Sequence, residues 1–144
     1  MKINTSKVEI DFNFTESNQQ LEILAKYQNK IIGSLNLNQA YDEEAVLNYI
    51  PEDDDDDEDI PEAEPYINLQ LIEVDENYRL NGIANLLMKY LFDNNLYELF
   101  EENNIYIRLD VHPQGLGITK NILEEFYSQY GFIKSYGNYM IKEI

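Results

Sequence analysis

Residues 66–87, YINLQLIEVDENYRLNGIANLL, carry an apolar run of strand character into a short polar turn and then directly into a helical pattern. The pattern predicts a strand ending at Val74 and a helix starting near Gly82. The first N–H groups of a helix have no partner within it, and they stand at the positive end of its dipole. A strand, a tight turn and a helix start therefore make an anion site, here of the kind that grips a pyrophosphate. Gly82 lets the main chain come close to a phosphate, Ala84 keeps the next position small, and Arg79 can add a charge-assisted contact at the rim. The segment lacks the Lys-Ser/Thr pair of a P-loop and the three glycines of a dinucleotide fold, so neither of those fits.

A second strand and helix follow in residues 105–132, IYIRLDVHPQGLGITKNILEEFYSQYGF, where Asn121, Tyr127, Gly131 and Phe132 stand at the spacing N-x5-Y-x3-G-F. Together with Arg79-x-x-Gly82-x-Ala84, this order resembles the GNAT superfamily of acyl-CoA-dependent N-acyltransferases, over roughly residues 66–144. The resemblance implies a single α/β domain over 1–144, with a mixed central sheet of six to seven strands and helices on both faces. It implies acetyl-CoA as co-substrate. Main chain around Ile72, Glu73 and Val74 would pair with the pantetheine amides. The turn Arg79, Leu80, Asn81, Gly82, Ile83, Ala84 and Asn85 would hold the pyrophosphate, and Asn121 would touch the cofactor from the second helix. The strand carrying Leu109 to Val111 would splay away to admit the thioester.

The length suits one compact domain, since a chain of this size buries about two-thirds of its unfolded surface in one core. No apolar run approaches the roughly 18 residues of a membrane span, and the opening MKINTSKVEIDF lacks a secretion signal, so a soluble cytoplasmic protein without a membrane partner is expected. There is no cysteine and only one histidine, which argues against a thiolate or histidine metal centre. The abundance of asparagine, isoleucine and tyrosine fits an AT-rich genome, bacterial or phage.

Charge is lopsided: 28 acidic against 10 basic residues give −18. Residues 51–65, PEDDDDDEDIPEAEP, hold ten carboxylates and no base, and the rest of the chain still carries −8. Repulsion and three prolines make that stretch an acidic loop inserted in the domain. Binding to nucleic acid is disfavoured on such a surface. Before the loop, alternation predicts three antiparallel strands: Val8 to Phe14, Leu21 to Ala25 and Ile31 to Leu37, with Asn29-Lys30 in the second link. Ala40 to Ile50 reads as a short helix. There is no room for the two helices that the family commonly places between its first two strands, so the N-terminal half is shortened.

Further on, Ile83, Leu87, Tyr90 and Leu91 predict one apolar helix stripe, and Ile118, Ile122, Phe126 and Tyr130 another. Leu96 to Phe100 reads as a short helical bridge. Phe132 to Ser135 and Asn138 to Ile141 read as a closing strand pair turning at Tyr136-Gly137.

Direct attack of an amine on an acetyl thioester needs a neutral nucleophile, a polarised carbonyl and a proton for the leaving thiolate. Tyr127 matches the family tyrosine near the thioester sulfur, and a phenol of pKa about 10 can donate to the thiolate; it also fits a packed aromatic. The central-strand positions where some relatives keep a base are Asn68 and Gln70, grouped by simple alternation with Ile72 and away from Glu73. Neither amide accepts a proton, although either can hold a relaying water. Asp110 is the candidate base. His112, with an unperturbed pKa of about 6.5, is the reserve, although a single histidine before Pro113 also suits a structural role. Glu124 stands where the family has a small residue; facing the cofactor, it would repel phosphate.

Two functions follow. One is an N-acetyltransferase whose acidic rim attracts a cationic amine, such as a basic peptide, lysine side chain, polyamine or aminoglycoside. The other is a weakly active or inactive GNAT-fold module whose acidic loop engages a basic protein. A homodimer could complete the acceptor groove in either case.

Overall fold

A computed structural model describes residues 2–43, 63–111 and 119–144. The elements are β1 (Glu9–Thr15), β2 (Gln20–Tyr27), β3 (Lys30–Asp42), β4 (Glu64–Val74), α1 (Ile83–Asp93), β5 (Tyr106–Asp110), α2 (Lys120–Ser128), β6 (Ile133–Lys134) and β7 (Tyr139–Glu143). They form a seven-stranded sheet in the order β1-β2-β3-β4-β5-β7-β6. Only the β4–β5 pair is parallel, as expected where a helix provides the crossover.

The first three strands form the antiparallel meander that alternation predicts. Its second turn is centred on Gln28 and Asn29, both at positive φ, one residue earlier than Asn29-Lys30. β3 does not end at Leu37. Ala40, Tyr41 and Asp42 pair with Tyr66, Pro65 and Glu64, so the start of the expected helix is strand. The remainder of that segment, Glu44 to Ile50, lies outside the described residues, as does most of the acidic loop expected over 51–65; its last two residues, Glu64 and Pro65, are strand rather than loop, paired with Asp42 and Tyr41.

Residues opposite one another in antiparallel strands share a face. Gly33, Leu35 and Leu37 oppose Val74, Ile72 and Leu69, while Asn36 and Asn38 oppose Leu71 and Asn68. Register skips Gln70, which is the extra residue of a β-bulge on β4. The bulge corrects the simple alternation: Ile72 joins Ile67 and Leu69 on the buried face, and Glu73 joins Asn68 on the other.

The apolar face is covered by α1, which buries Ile83, Leu87, Met88 and Leu91, with Tyr90 at its edge against Phe12. Its first turn packs directly on β3. A Cβ at Gly33 would lie 2.9 Å from Ile83 Cγ2 and 3.2 Å from the Glu73 carbonyl, so only glycine admits this approach. α2 lies beside α1, where the Tyr130 hydroxyl donates to Asn85 Oδ1 at 2.6 Å and the Tyr130 and Phe92 rings stack. Both helices thus contribute to one core on one face of the sheet, not to both faces. α2 buries Leu123 and Tyr127. The expected stripe of Ile122, Phe126 and Tyr130 is instead a flank, with Ile122 51% exposed, and Ile118 lies outside the described residues. Leu96–Leu99 forms a short 3-10 turn, and β6 and β7 make the predicted closing pair.

Candidate active site

β4 and β5 are paired only at Ile67/Ile107, Asn68/Arg108 and Leu69/Leu109. β4 runs five residues further, to Val74, while β5 is drawn toward β7, where Asp110 pairs with Tyr139 and the Val111 amide donates to the Asn138 carbonyl at 2.8 Å. The strands therefore part beyond Leu69, beside the bulge at Gln70. This is the splay expected of the strand carrying Leu109 to Val111, and it leaves the β5-facing main chain of Ile72, Glu73 and Val74 without a strand partner among the described residues. The Val74 carbonyl accepts from Arg79 Nε at 3.3 Å.

At the far end of β4 the chain turns through Asp75 to Asn81 into α1. Leu80 takes a left-handed φ of +68° and is 99% exposed, so it serves the turn through its backbone alone. Asn81 fastens the turn: its amide donates to the Tyr78 carbonyl at 3.0 Å, and its Oδ1 accepts from the Ile3 amide at 3.1 Å. Gly82 caps the helix at φ +74°, a conformation costly for other residues, and no side chain caps the helix N-terminus. The N–H groups of Gly82, Ile83 and Ala84 meet no acceptor among the described residues. They border a cavity of about 130 Å³ lined by Val74, Arg79, Leu80, Gly82, Ile83, Ala84, Asn85 and Phe126. Donors, a positive dipole end and a guanidinium around one hollow fit a diphosphate.

Asn121 is not brought to this turn. It borders a separate groove with Glu124, Ser128 and Lys134, because it lies on a different side of α2 from Phe126. Glu124 pairs there with Lys134 at 2.7 Å and Lys120 at 4.0 Å, so its charge is directed into that groove and away from the turn.

On the other side of the splay, a cavity of about 390 Å³ opens on the face away from α1 and α2. Tyr127 reaches it from α2 and Asp110 from β5, so the structure brings these two together; His112 lies outside the described residues. Tyr127 is 4% exposed. Its ring is gripped by Phe126 and Phe132, and its hydroxyl has no hydrogen-bond partner among the described residues. Burial pushes its phenol well above the ordinary tyrosine range, so it stays protonated. The spacing to Gly131 and Phe132 has a structural cause: Gly131, at φ +93°, ends the helix, and Phe132 returns under Tyr127 with its amide donating to the Tyr127 carbonyl at 3.4 Å.

The remaining wall contains residues that the sequence reading missed: Arg108, Tyr66 and Tyr139. The Arg108 guanidinium lies between the two rings, 4.3 Å from the Tyr66 centroid and 4.5 Å from that of Tyr139, and donates to the Tyr66 hydroxyl. Burial raises the Tyr66 pKa despite that neighbouring cation. Tyr106 stacks on Tyr66 at 5.3 Å, and burial pushes its pKa up to about 12. An arginine alternating with the apolar positions of IYIRLDV, two residues before Asp110, was the available signal. Asn68 is held by its amide, which donates to Asn38 Oδ1 at 3.1 Å.

No group of histidine and carboxylate side chains able to hold a metal is found among the described residues. No helix among them is long and apolar enough to cross a membrane.

Solved structures with the same fold include the KacTA–DNA complex (11% identity, 86% of this chain and 67% of that one, TM-score 0.58). AtaTR bound with acetyl-CoA is similar at 15% identity over 88% and 70% of the two chains, with a TM-score of 0.53. AtaT complexed with acetyl-methionyl-tRNAfMet is similar at 13% identity over 88% and 71%, also with a TM-score of 0.53. These similarities establish the fold, and the nucleic acid in two of the complexes leaves the expected exclusion of nucleic acid without support. No curated protein matches the chain. The model of the acetyltransferase (GNAT) family matches residues 3–132, well beyond the C-terminal half that carries the sequence motifs. With that match added to the splayed strands and the uncapped helix start, the chain belongs to the acetyltransferase (GNAT) family, whose members use acetyl-CoA as co-substrate.

Proposed function

We propose that this protein transfers the acetyl group of acetyl-CoA to a primary amine by direct attack within a ternary complex. The observation that carries the reading is the gap between β4 and β5. It joins the anion-binding turn on the helix side to the cavity bordered by Tyr127 and Asp110 on the open side. In this reading the N–H groups of Gly82 to Ala84, with Arg79, hold the diphosphate, and the free edge of Ile72 to Val74 pairs with the pantetheine amides. The thioester then lies in the gap. The Asp110 carboxylate, directly or through a water, takes the proton from the attacking ammonium. The amine nitrogen bonds the carbonyl carbon as the carbon–sulfur bond breaks; the Tyr127 hydroxyl gives its proton to the departing thiolate, and the second proton shed by the nitrogen returns through water to the Tyr127 oxygen. Tyr127 suits this role because its apolar setting keeps the phenol protonated.

The net charge of −18 favours acceptors that arrive as cations, as primary amines do at neutral pH. The binding-module alternative rests on the acidic loop, most of which lies outside the described residues, and the pairing of Glu124 with Lys134 removes the main objection to activity.

The test is release of free CoA from acetyl-CoA across a panel of amines, together with thermal stabilisation by acetyl-CoA alone. At 100 times its dissociation constant, a ligand bound only by the folded state adds about 2.7 kcal/mol. Stabilisation with amine-dependent release supports the transferase; neither effect would favour the module.

A further inference from the structure

Arg108 is an anomaly in so acidic a chain. Among the described residues no carboxylate forms an ion pair with it, and the four ion pairs found there all use lysines. Its Nε is buried without a hydrogen-bond partner. Two tyrosine rings and one hydroxyl hold the guanidinium of this half-buried side chain, and such contacts offset only part of the cost of partly removing a cation from water. The group borders the same cavity of about 390 Å³ as Tyr127 and Asp110, at the small end of the range for small-molecule sites. Asp110 stands two residues along the same strand and on the same face, roughly 6 to 7 Å away along the backbone.

We infer that the acceptor is a small zwitterion, in which the amine is drawn to Asp110 while a carboxylate or phosphate oxygen accepts from the Arg108 guanidinium, whose Nε has no other partner among the described residues. This rests on the transferase reading and narrows it. A guanidinium offers fixed, parallel donors that match an oxyanion. A polyamine or aminoglycoside presents only further cations to Arg108 and would be repelled. The acidic field acts at long range on the ammonium, and Arg108 acts at contact on the oxyanion.

The test measures CoA release, as kcat/KM, for the standard amino acids, their C-terminal amides, phosphoethanolamine, ethanolamine and spermidine. At least one oxyanion-bearing amine should exceed its uncharged counterpart tenfold or more. The amino acid and phosphoethanolamine arms distinguish carboxylate from phosphate. Arg108→Gln should reduce that preference to threefold or less while leaving acetyl-CoA affinity and the melting temperature near wild type, and Arg108→Lys should retain part of it. A best acceptor without an oxyanion, or an undiminished preference in Arg108→Gln, would overturn the inference. A second readout needs no turnover: NMR titration should show N-acetylglycine binding wild type more tightly than N-acetylglycinamide, and Arg108→Gln binding both alike. Equal binding by wild type, with N-acetylphosphoethanolamine likewise bound no more tightly than N-acetylethanolamine, would sink the zwitterion even if CoA were released. Absence of acetyl-CoA binding with the N-acetylglycine preference intact would instead sink the transferase reading.

Discussion

The two faces of the central sheet are built on different terms. The covered face is a row of aliphatic side chains sealed by α1 and α2, including Ile23, Leu35, Leu37, Ile67, Leu69 and Ile107. The open face carries Asn36, Asn38, Asn68, Glu73, Arg108 and Asp110 from the alternate positions of the same strands. Under the proposed function the contrast divides the labour: the covered face fixes the helix start that would grip phosphate, and the open face would receive the acceptor. Tyr127 links the two, with its ring in the core and its hydroxyl at the gap.

That division can be attacked at the link first. Tyr127→Phe removes one oxygen, and loss of a positioned general acid typically costs about 10² to 10⁴ in rate. The variant should lose at least 100-fold in kcat with acetyl-CoA affinity unchanged; a rate within threefold of wild type would remove Tyr127 from the chemistry. The same substitution should alter alkaline stability. A buried phenol with a raised pKa favours the folded state below the unfolded value of about 10, and that advantage fades as pH climbs through the folded value. Replacing Tyr127 should therefore flatten the loss of melting temperature above pH 10, as read by circular dichroism.

A change on the covered face should act differently. Gly33→Val drives a side chain into Ile83 and the Glu73 carbonyl, and overpacking of this kind costs about 1 to 3 kcal/mol. Because α1 would be pushed off the sheet at its first turn, acetyl-CoA affinity should fall with stability in calorimetry and denaturation. Intact affinity in a destabilised variant would separate the turn from its seat.

Ala84→Asp separates fold from ligand by sign. A carboxylate in the first turn of a helix favours the helix by about 0.3 to 1 kcal/mol, yet it opposes a diphosphate. Acetyl-CoA should bind about tenfold more weakly, a loss of about 1.4 kcal/mol, with no fall in melting temperature. The smallest effect belongs to Glu124→Gln. Its lysine partner Lys134 is 72% exposed, so the change should cost under about 1 kcal/mol and leave acetyl-CoA affinity within twofold; a tenfold gain would mean that the carboxylate faces the phosphates after all.

What could be read from the sequence follows the same boundary. The meander, α1 and the turn before it announce themselves locally, through alternation, helical spacing or glycine placement, while the splay of β5 was implied by the family resemblance. The open face does not. The bulge at Gln70 exists only in the pairing of β4 with β3, so simple alternation put Ile72 on the wrong side and set Glu73 apart from Asn68. Arg108 gains its meaning from Tyr66 and Tyr139, which are distant in the chain and adjacent only in the folded sheet. In α2, the aromatic positions Phe126 and Tyr130 suggested the buried stripe, but the core takes Leu123 and Tyr127, and that flank faces α1 instead. Asn121 matched its motif by spacing, yet the rotation of the helix sets it beside Glu124.

The central claim is that the start of α1 holds the diphosphate of acetyl-CoA. Amide-resolved NMR during an acetyl-CoA titration tests it most directly. The account predicts saturable shifts centred on the N–H signals of Gly82, Ile83 and Ala84, and much weaker ones when acetyl-pantetheine, which lacks the diphosphate, replaces the cofactor. Tight binding of acetyl-CoA with those three signals unmoved would contradict it.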